Sequence, residues 1–283
     1  MAKQKRDLSG YLNYLNHFEM TILDEIIAHK RIEVSAAKEL RPLNDKAVQQ
    51  ALNRKCYSLS NSIRNSVNHG IIAEIKRKSP SKGLINSVSN PDQIALNYQQ
   101  AGAAGISVLT DQKFFGGQNS DLALVRQAVT IPVLRKEFIV DAYQIYEARL
   151  IGADAILLIA AALNPAEIKT FVNLAHDLNL EVLLEVHDFE ELKQNMDSGA
   201  DLIGVNNRSL KSFKVDLNIS RELIRQIPTD VPVISESGIE NEAAIVELEQ
   251  LGFSGFLIGQ RFMEHPDPGM ACIDFISSLP VKE

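Results

Sequence analysis

Charged and amide side chains close several short apolar runs of this sequence. Glu74 and Lys76 end the first run, Lys136 ends another, and Glu185 and Asn206 end two more. An ionised group inside an apolar segment is costly unless it is paired. Lysine and glutamate side chains that are brought together can donate protons, accept protons and stabilise developing charge. The sequence therefore predicts an acid–base site built from the ends of several runs.

The runs have the composition of β-strands, on which side chains two residues apart share a face. One inward face is predicted to combine side chains of the first, third, fifth and sixth runs, namely Ile72, Glu74, Lys76, Lys78, Leu134, Lys136, Phe138, Leu183, Glu185, Gly204, Asn206 and Arg208. The seventh run ends in Glu236 and Ser237. Any one of these charges could be a solvated or paired surface group, but their occurrence together at matching strand ends favours a functional rim.

Glycines follow the last two runs. Gly238 comes directly after Ser237, and Gly259 is followed by Gln260. A glycine lets backbone N–H groups approach an anion closely, and barrel enzymes place phosphate sites at the corresponding loops. Either glycine alone could simply form a turn. Together they predict a phosphate site, with Lys78 as an additional point charge.

The elements that position these residues repeat along the chain. Strand-like runs occur about 20 to 35 residues apart and are separated by helix-length stretches with apolar residues at helical spacing. We predict eight strands, at Ile71–Lys76, Ile106–Thr110, Ile131–Arg135, Ala155–Ile159, Glu181–Val186, Leu202–Asn206, Val231–Glu236 and Gly255–Gly259. This alternation predicts an α/β fold with parallel strands, and eight units favour a single (βα)8 TIM barrel. A doubly wound open sheet is the alternative, but the Gly-x-Gly-x-x-Gly turn expected after its first strand is missing.

Roughly the first 70 residues precede the first strand. We expect residues 1–70 to form an N-terminal helical extension over the barrel of residues 71–283. An amphipathic pattern spans Thr21–Leu40, with one apolar side made of Ile22, Leu23, Ile26 and Ile27. This helix could have a purely structural role, packed against the barrel, or it could lie over the barrel mouth as a lid. We predict the mouth, because the long apolar stripe comes ahead of the first strand.

Composition restricts the function classes. The 283 residues are 45% hydrophobic and 23% charged, which is typical of soluble globular proteins, and the net charge of −7 argues against nucleic-acid binding. The longest apolar run, residues 155–163, is about half of a membrane span, and the charged start has no secretory signal. Cys56 and Cys272 cannot form a disulfide framework, and no cluster has metal-ligand spacing. We expect a cytoplasmic enzyme with no metal.

A resemblance to a known family begins in the first run, which reads Ile72-Ala73-Glu74-Ile75-Lys76-Arg77-Lys78-Ser79-Pro80-Ser81-Lys82-Gly83. This segment closely resembles the first-strand signature of the indole-3-glycerol-phosphate synthase family of tryptophan biosynthesis. Family-like stretches follow in order at residues 134–139, 184–187, 203–208, 235–239 and 256–259. The resemblance covers about residues 20 to 265. Two departures are Glu137, where Asp is expected, and Gln260-Arg261, where small residues are expected.

The resemblance implies a lyase that converts 1-(2-carboxyphenylamino)-1-deoxyribulose 5-phosphate into indole-3-glycerol phosphate, CO2 and water. No cofactor is needed, because the substrate nitrogen feeds electrons into the aromatic ring. The resemblance makes Lys136 the general acid, and it makes Glu185 the base or the stabiliser of the positively charged nitrogen. It implies that Lys76 is an assisting acid or binds the substrate carboxylate. Glu74 and Asn206 would position these catalytic groups and the substrate hydroxyls. The division of roles between the two lysines stays open.

Contacts to the rest of the substrate are also implied by the resemblance. The expected substrate contacts are Lys78, Ser79, Phe115, Phe138, Leu157, Arg208, Glu236 and Ser237. The expected phosphate contacts are Lys78, Gly238, Gly259 and Gln260. We expect a monomer that acts on a small phosphorylated molecule and that has neither a nucleic-acid nor a membrane partner.

Two other functions remain open from the sequence. Phosphoribosylanthranilate isomerase has a similar phosphate site but carries a reactive cysteine on the first strand, where this chain has Glu74 and Lys76. A catalytically inactive phosphate-binding barrel is the other alternative. Such a barrel would not need Lys76, Lys136 and Glu185 together, so the intact set favours an enzyme.

Overall fold

Eight parallel strands close into a barrel. The computed structural model describes residues 21–87, 90–210 and 212–282, so residues 1–20 of the predicted extension lie outside the described part. The barrel strands are β1 (Ile71–Ile75), β4 (Gly105–Leu109), β5 (Val133–Lys136), β6 (Ala155–Ile159), β7 (Glu181–Val186), β8 (Leu202–Asn206), β9 (Val233–Glu236) and β10 (Gly255–Ile258). Each strand pairs with the next in this order, and β10 pairs with β1. The predicted (βα)8 barrel is confirmed, and the open-sheet alternative is wrong.

Helices cover the outside of the barrel and precede it. Before the barrel come α1 (Ile22–Leu40), α2 (Asp45–Leu52) and α3 (Leu59–Arg64). The later helices are α4 (Pro91–Gln100), α5 (Gln112–Phe115), α6 (Asn119–Ala128), α7 (Ala142–Ile151), α8 (Pro165–Asp177), α9 (Phe189–Asn195), α10 (Asn218–Leu223), α11 (Glu242–Leu251), α12 (Gln260–Met263) and α13 (Pro268–Ser278). A short hairpin of β2 (Lys78–Ser79) and β3 (Gly83–Leu84), which the sequence analysis did not predict, follows β1.

Strand ends differ from the predicted ones where backbone chemistry limits pairing. The bounds of β6, β7 and β8 agree with the prediction. The third and seventh strands begin two residues later than predicted, after Pro132 and Pro232. Proline has no N–H to donate to a neighbouring strand, so each of these two prolines lies just outside its strand. Each still accepts a hydrogen bond through its carbonyl oxygen.

The barrel interior is filled by alternate strand residues, as the two-residue period requires. Ile72 of β1 packs inward with Leu134 and Leu183, while the neighbouring β1 residues Ala73 and Ile75 face the surrounding helices. The interior cluster also contains α1 residues (Leu23 and Ile26) and α3 residues (Leu59 and Ile63). Residues 1–70 are predicted to lie over the barrel, but α3 of this stretch instead contributes to the barrel core.

One buried lysine fastens α1 to the carboxyl ends of the strands. Lys30 is 1% exposed, and its Nζ lies 2.9 Å from Asp111 Oδ2 and 3.0 Å from Glu137 Oε1. Asp111 follows β4, and Glu137 follows β5 directly. Burial alone would lower the pKa of Lys30, but Glu137 and Asp111 outweigh it and raise that pKa above its usual value. The ammonium group therefore stays charged and holds α1 across this end of the barrel.

Replacing this lysine should destabilise the protein strongly. We expect Lys30→Met to lower the free energy of unfolding by about 3–5 kcal/mol, because Asp111 and Glu137 would stay buried without their cation. Chemical denaturation would measure the change. Lys38→Met is the matched control on α1, since the Lys38–Asp141 pair is exposed and such pairs contribute about 0–1 kcal/mol. Equal losses in the two variants would show that the buried pairing does not anchor α1.

Candidate active site

A cavity of about 520 Å³ opens at the carboxyl ends of the strands, below α1. Ile22, Leu23 and Ile26 of α1 line it. From the barrel it is lined by nearly all of the predicted site residues: Glu74, Lys76, Ser79, Phe115, Lys136, Phe138, Leu157, Glu185, Asn206, Arg208, Glu236, Ser237, Gly238, Gly259 and Gln260. Residues from eight separate strand ends and loops thus meet in one space.

Lys78 is the predicted site residue that the structure does not bring into the cavity lining. Its ammonium group donates to the backbone carbonyl of Lys113. The predicted sharing of a face with Glu74 and Lys76 is wrong, because β1 ends at Ile75 and Lys78 already belongs to the hairpin. A phosphate contact by Lys78 stays a prediction, and it would require the side chain to leave Lys113.

Lys136 lies between two buried carboxylates. Its Nζ is 3.1 Å from Glu185 Oε2, and it also donates to Glu236 Oε2. Burial opposes the charged form of Lys136, but Glu236 and Glu185 outweigh it and raise the pKa well above the usual value. The pKa of Glu185 is lowered, because Lys136 and His187 outweigh its burial. The site therefore holds a charged acid directly beside an ionised base.

Glu236 differs from Glu185 in its protonation. Burial raises the pKa of Glu236, Lys136 lowers it and Glu185 raises it again, so that the pKa is about 7. Its Oε1 is buried and, within the described ranges, accepts no hydrogen bond. Gly204 has no side chain that would occupy the place of this oxygen. The family resemblance predicts Glu236 as a substrate contact, whereas its pairing with Lys136 is visible only in the structure.

Glu74, Lys76 and Asn206 surround this pair. Lys76 Nζ lies 2.8 Å from Glu74 Oε1. Gly259 lets Glu74 approach the last strand, since a Cβ there would lie 2.5 Å from Glu74 Oε1 and 2.8 Å from its Cβ. Asn206 contacts Glu185 through its side chain and accepts from the Arg208 backbone N–H at 3.0 Å. These contacts fix the carboxylates in the cavity wall.

The remaining lining divides the cavity into an apolar side and a glycine-rich side. The rings of Phe115 and Phe138 lie 5.8 Å apart between centroids, and Leu157 lines the same space. On the other side, Ser237 (φ 63°) and Gly238 (φ 79°) both have left-handed backbone. Such an arrangement suits an aromatic group at one end and an anion at the other.

Several lining residues were missed by the sequence analysis. Lys82 lies at the turn of the β2–β3 hairpin, and its Nζ is 2.5 Å from Glu264 Oε1. Phe213 and Val215 come from the loop after β8. Lys82 belongs to the Ser-Pro-Ser-Lys segment and could have been found there, whereas nothing in the sequence around Phe213 marks a site.

The family model for indole-3-glycerol phosphate synthase matches residues 23–274. The chain belongs to the indole-3-glycerol phosphate synthase family. Two relatives named indole-3-glycerol phosphate synthase illustrate the likeness. The one from Bacteroides thetaiotaomicron is 44% identical over 260 residues, which are 91% of this chain and 98% of the relative. The one from Chlorobium chlorochromatii is 47% identical over 243 residues, 85% of this chain and 95% of the relative.

Solved structures outside the synthase family share the fold alone. N-acetylmannosamine-6-phosphate 2-epimerase from Clostridium perfringens superposes with a TM-score of 0.57 at 15% identity, over 73% of this chain and 91% of that one. Thiamine phosphate pyrophosphorylase from Pyrococcus furiosus gives a TM-score of 0.56 at 16% identity, over 78% of this chain and 96% of that one.

Two further properties concern the described residues as a set. None of the helices in the described ranges is long and apolar enough to cross a membrane. Among the same residues, no group of three or more His, Cys, Asp or Glu side chains is placed to hold a metal ion.

Proposed function

We propose that the protein closes the indole ring of 1-(2-carboxyphenylamino)-1-deoxyribulose 5-phosphate and releases indole-3-glycerol phosphate, CO2 and water. The observation that carries the proposal is the position of Lys136. It lies between Glu185 and Glu236 at the wall of a cavity with an apolar side and a glycine-rich side. Membership of the synthase family supports the same reaction. The family assignment also favours it over the isomerase alternative.

One orientation of the substrate would use both sides of this cavity. Its aromatic ring would pack against Phe115, Phe138 and Leu157, where apolar surface is buried. Its phosphate would lie at Gly238 and Gly259 on the opposite side. Ser79, Arg208, Ser237 and Gln260 also line the cavity and would contact the polar groups. The ketone would then lie near Lys136, which is the geometry that acid catalysis requires.

Lys136 would supply protons in two steps. The ring carbon that bears the carboxylate attacks the ketone carbon, and Lys136 Nζ protonates the ketone oxygen. The carboxylate then leaves as CO2, and the electron pair of the broken carbon–carbon bond restores the aromaticity of the ring. Loss of the new hydroxyl as water consumes a second proton, while Glu185 accepts one proton from the carbon next to the nitrogen. The balance is one proton taken up from solvent for each turnover.

Lys76 differs from Lys136 in its surroundings, and we assign it a different role. Its side chain is more exposed than that of Lys136, and among the residues that the structure describes Glu74 is the carboxylate within ion-pair distance. A cation with one carboxylate partner can bind the substrate carboxylate before CO2 leaves. Glu74 and Asn206 would position Lys76 and Glu185.

Compartment, oligomeric state, cofactor and partner follow from the same assignment. We propose a cytoplasmic monomer that needs no cofactor and has a small phosphorylated molecule as its partner. The net charge of −7 is unfavourable for nucleic acid. We also propose that, within the N-terminal extension of residues 1–70, α1 is the cover of a catalytic barrel formed by residues 71–283. The contacts of α1 with the cavity support this division.

Product formation tests the proposal directly. The protein contains no tryptophan, so its own emission in the indole range is low. Mixing folded protein with the substrate should give an indole emission that grows with time and scales with protein concentration. Folded protein that gives no indole product with authentic substrate would contradict the proposed function.

The pKa of Glu236, about 7, predicts a pH dependence. Below this pH Glu236 is neutral, so the cavity carries one negative charge fewer when the anionic substrate binds. We therefore expect kcat/KM to fall as pH rises through about 7. In Glu236→Gln this decrease should be absent, because the side chain stays neutral. Ionisation of the substrate phosphate, near pH 6, is common to both proteins and cancels in their ratio. A ratio that does not change with pH would contradict the assignment.

A further inference from the structure

A largely buried histidine lies behind Glu185 and has no part in the mechanism above. His187 follows β7 directly, and its side chain is 11% exposed. Its Nε2 lies 3.3 Å from Glu185 Oε1, and its Nδ1 lies 3.1 Å from Glu191 Oε2. Lys136 contacts the opposite oxygen, Glu185 Oε2. The two oxygens of this carboxylate are therefore held by two different cationic partners.

Glu191 fixes the imidazole from the other side. Glu191 Oε2 accepts from the backbone N–H of His187 at 2.8 Å as well as from Nδ1. Burial alone would lower the pKa of His187, but Glu185 and Glu191 outweigh it and raise the pKa to about 10. These two carboxylates are the charged groups within ion-pair distance of the ring in the described ranges. The imidazole is therefore charged at neutral pH.

The contact between His187 and Glu185 is mainly electrostatic. Nε2 is buried and makes no well-directed hydrogen bond within the part of the chain that the structure describes. Glu185 is itself 3% exposed, so burial favours its neutral form. Removing one of its two cations would therefore let Glu185 keep a proton at higher pH and would leave Oε1 without a charged partner.

We propose that His187 is a positioning residue for ring closure. Its imidazolium, held by Glu191, keeps Glu185 ionised and fixes Oε1, so that Oε2 remains beside Lys136 and ready to accept a proton. This inference rests on the proposed function, in which Glu185 is the base. His187 does not line the cavity, so it acts through Glu185 rather than on the substrate.

Glu191→Gln separates the charge of His187 from its presence. The glutamine oxygen can still accept from Nδ1 and the backbone N–H, but the negative charge is gone. The pKa of His187 should then fall, because one of the two carboxylates that raise it has lost its charge. We expect the ratio of kcat for Glu191→Gln to kcat for the parent to be near one at about pH 6 and to fall about tenfold by about pH 8.5.

His187→Asn removes the charge at every pH. Its kcat should be lower than that of the parent by about tenfold even at about pH 6, where Glu191→Gln is active. KM should change by less than about twofold, because His187 does not line the cavity. His176→Asn is the control, since His176 is an exposed partner of Asp201 at 2.9 Å. Its kcat ratio should stay near one throughout.

Two results would overturn the positioning role of His187. One is a Glu191→Gln ratio that does not change with pH, and the other is a folded His187→Asn variant with parental kcat. An NMR titration of the His187 ring tests the charge without any activity, and a parent pKa near 6.5 would also overturn the inference. An active parent with a flat ratio would overturn the positioning role alone and leave the proposed function standing. An inactive parent would contradict the proposed function and the positioning role with it.

Discussion

Lys136→Met should lower kcat by about 100-fold or more and leave KM within about twofold of the parent. Methionine keeps the apolar stem but cannot give a proton to the ketone oxygen. The phosphate and ring contacts lie elsewhere in the cavity, so binding should persist. Steady-state kinetics with the indole product as readout would measure both constants.

Folding should survive this substitution at neutral pH. Glu185 and Glu236 would lose their shared cation, but the pKa of Glu236 is already about 7 and would rise further. Glu236 would therefore take up a proton, and two adjacent negative charges would be avoided. Thermal unfolding checks this expectation. A folded Lys136→Met enzyme with near-parental kcat would assign the acid role to Lys76.

Lys78→Met provides the opposite kinetic pattern. The family resemblance gives Lys78 a phosphate contact, so KM should carry most of the effect while kcat is preserved. In the structure the ammonium group is bound to the Lys113 carbonyl instead. An unchanged KM would show that Lys78 stays there when the substrate binds.

Gly238→Asp should raise KM by about tenfold or more and weaken inhibition by inorganic phosphate by a similar factor. The new carboxylate would repel the phosphate dianion. Gly238 also has left-handed backbone, and a Cβ there would lie 2.5 Å from Val215 Cγ1, so the loop after β8 must shift. Both effects reduce the approach of the backbone to the anion.

Gly199→Asp is the control for backbone strain. Gly199 has a similar φ of 84°, but among the described residues a Cβ there would meet only Val172 Cγ1 at 3.7 Å. Gly199 lies outside the cavity lining. This variant should lose stability without a change in KM or in phosphate inhibition. Equal changes of KM in both variants, or a Gly238→Asp enzyme that binds phosphate as the parent does, would place the phosphate elsewhere.

The barrel and most of the cavity lining could be predicted from the sequence because they follow from local periodicity. Lys136 and Glu185 lie inward since each is two residues from an inward leucine of its own strand. The same rule fails for Lys78, since the alternation has no meaning once β1 ends at Ile75. Pro132 likewise delays the start of its strand by removing a donor.

Pairings between distant segments could not be predicted in this way. Lys30 contacts Asp111 and Glu137, and no periodic pattern of α1 identifies these partners. The pairing of Lys136 with Glu236 joins the third and seventh barrel strands across the interior. His187 belongs to no recognisable sequence pattern, and its proposed role depends on an ion pair with Glu191 of α9. Such contacts depend on how the closed barrel brings strand ends together.

Release of the substrate carboxylate is the most direct test of the proposed reaction. A substrate labelled with carbon-14 in that carboxylate should be mixed with the parent and with Lys136→Met. In the parent, labelled CO2 should leave at the rate at which indole emission appears, with one CO2 for each indole, and Lys136→Met should slow both signals together. Indole emission without labelled CO2, or CO2 release that Lys136→Met does not slow, would contradict ring closure driven by Lys136.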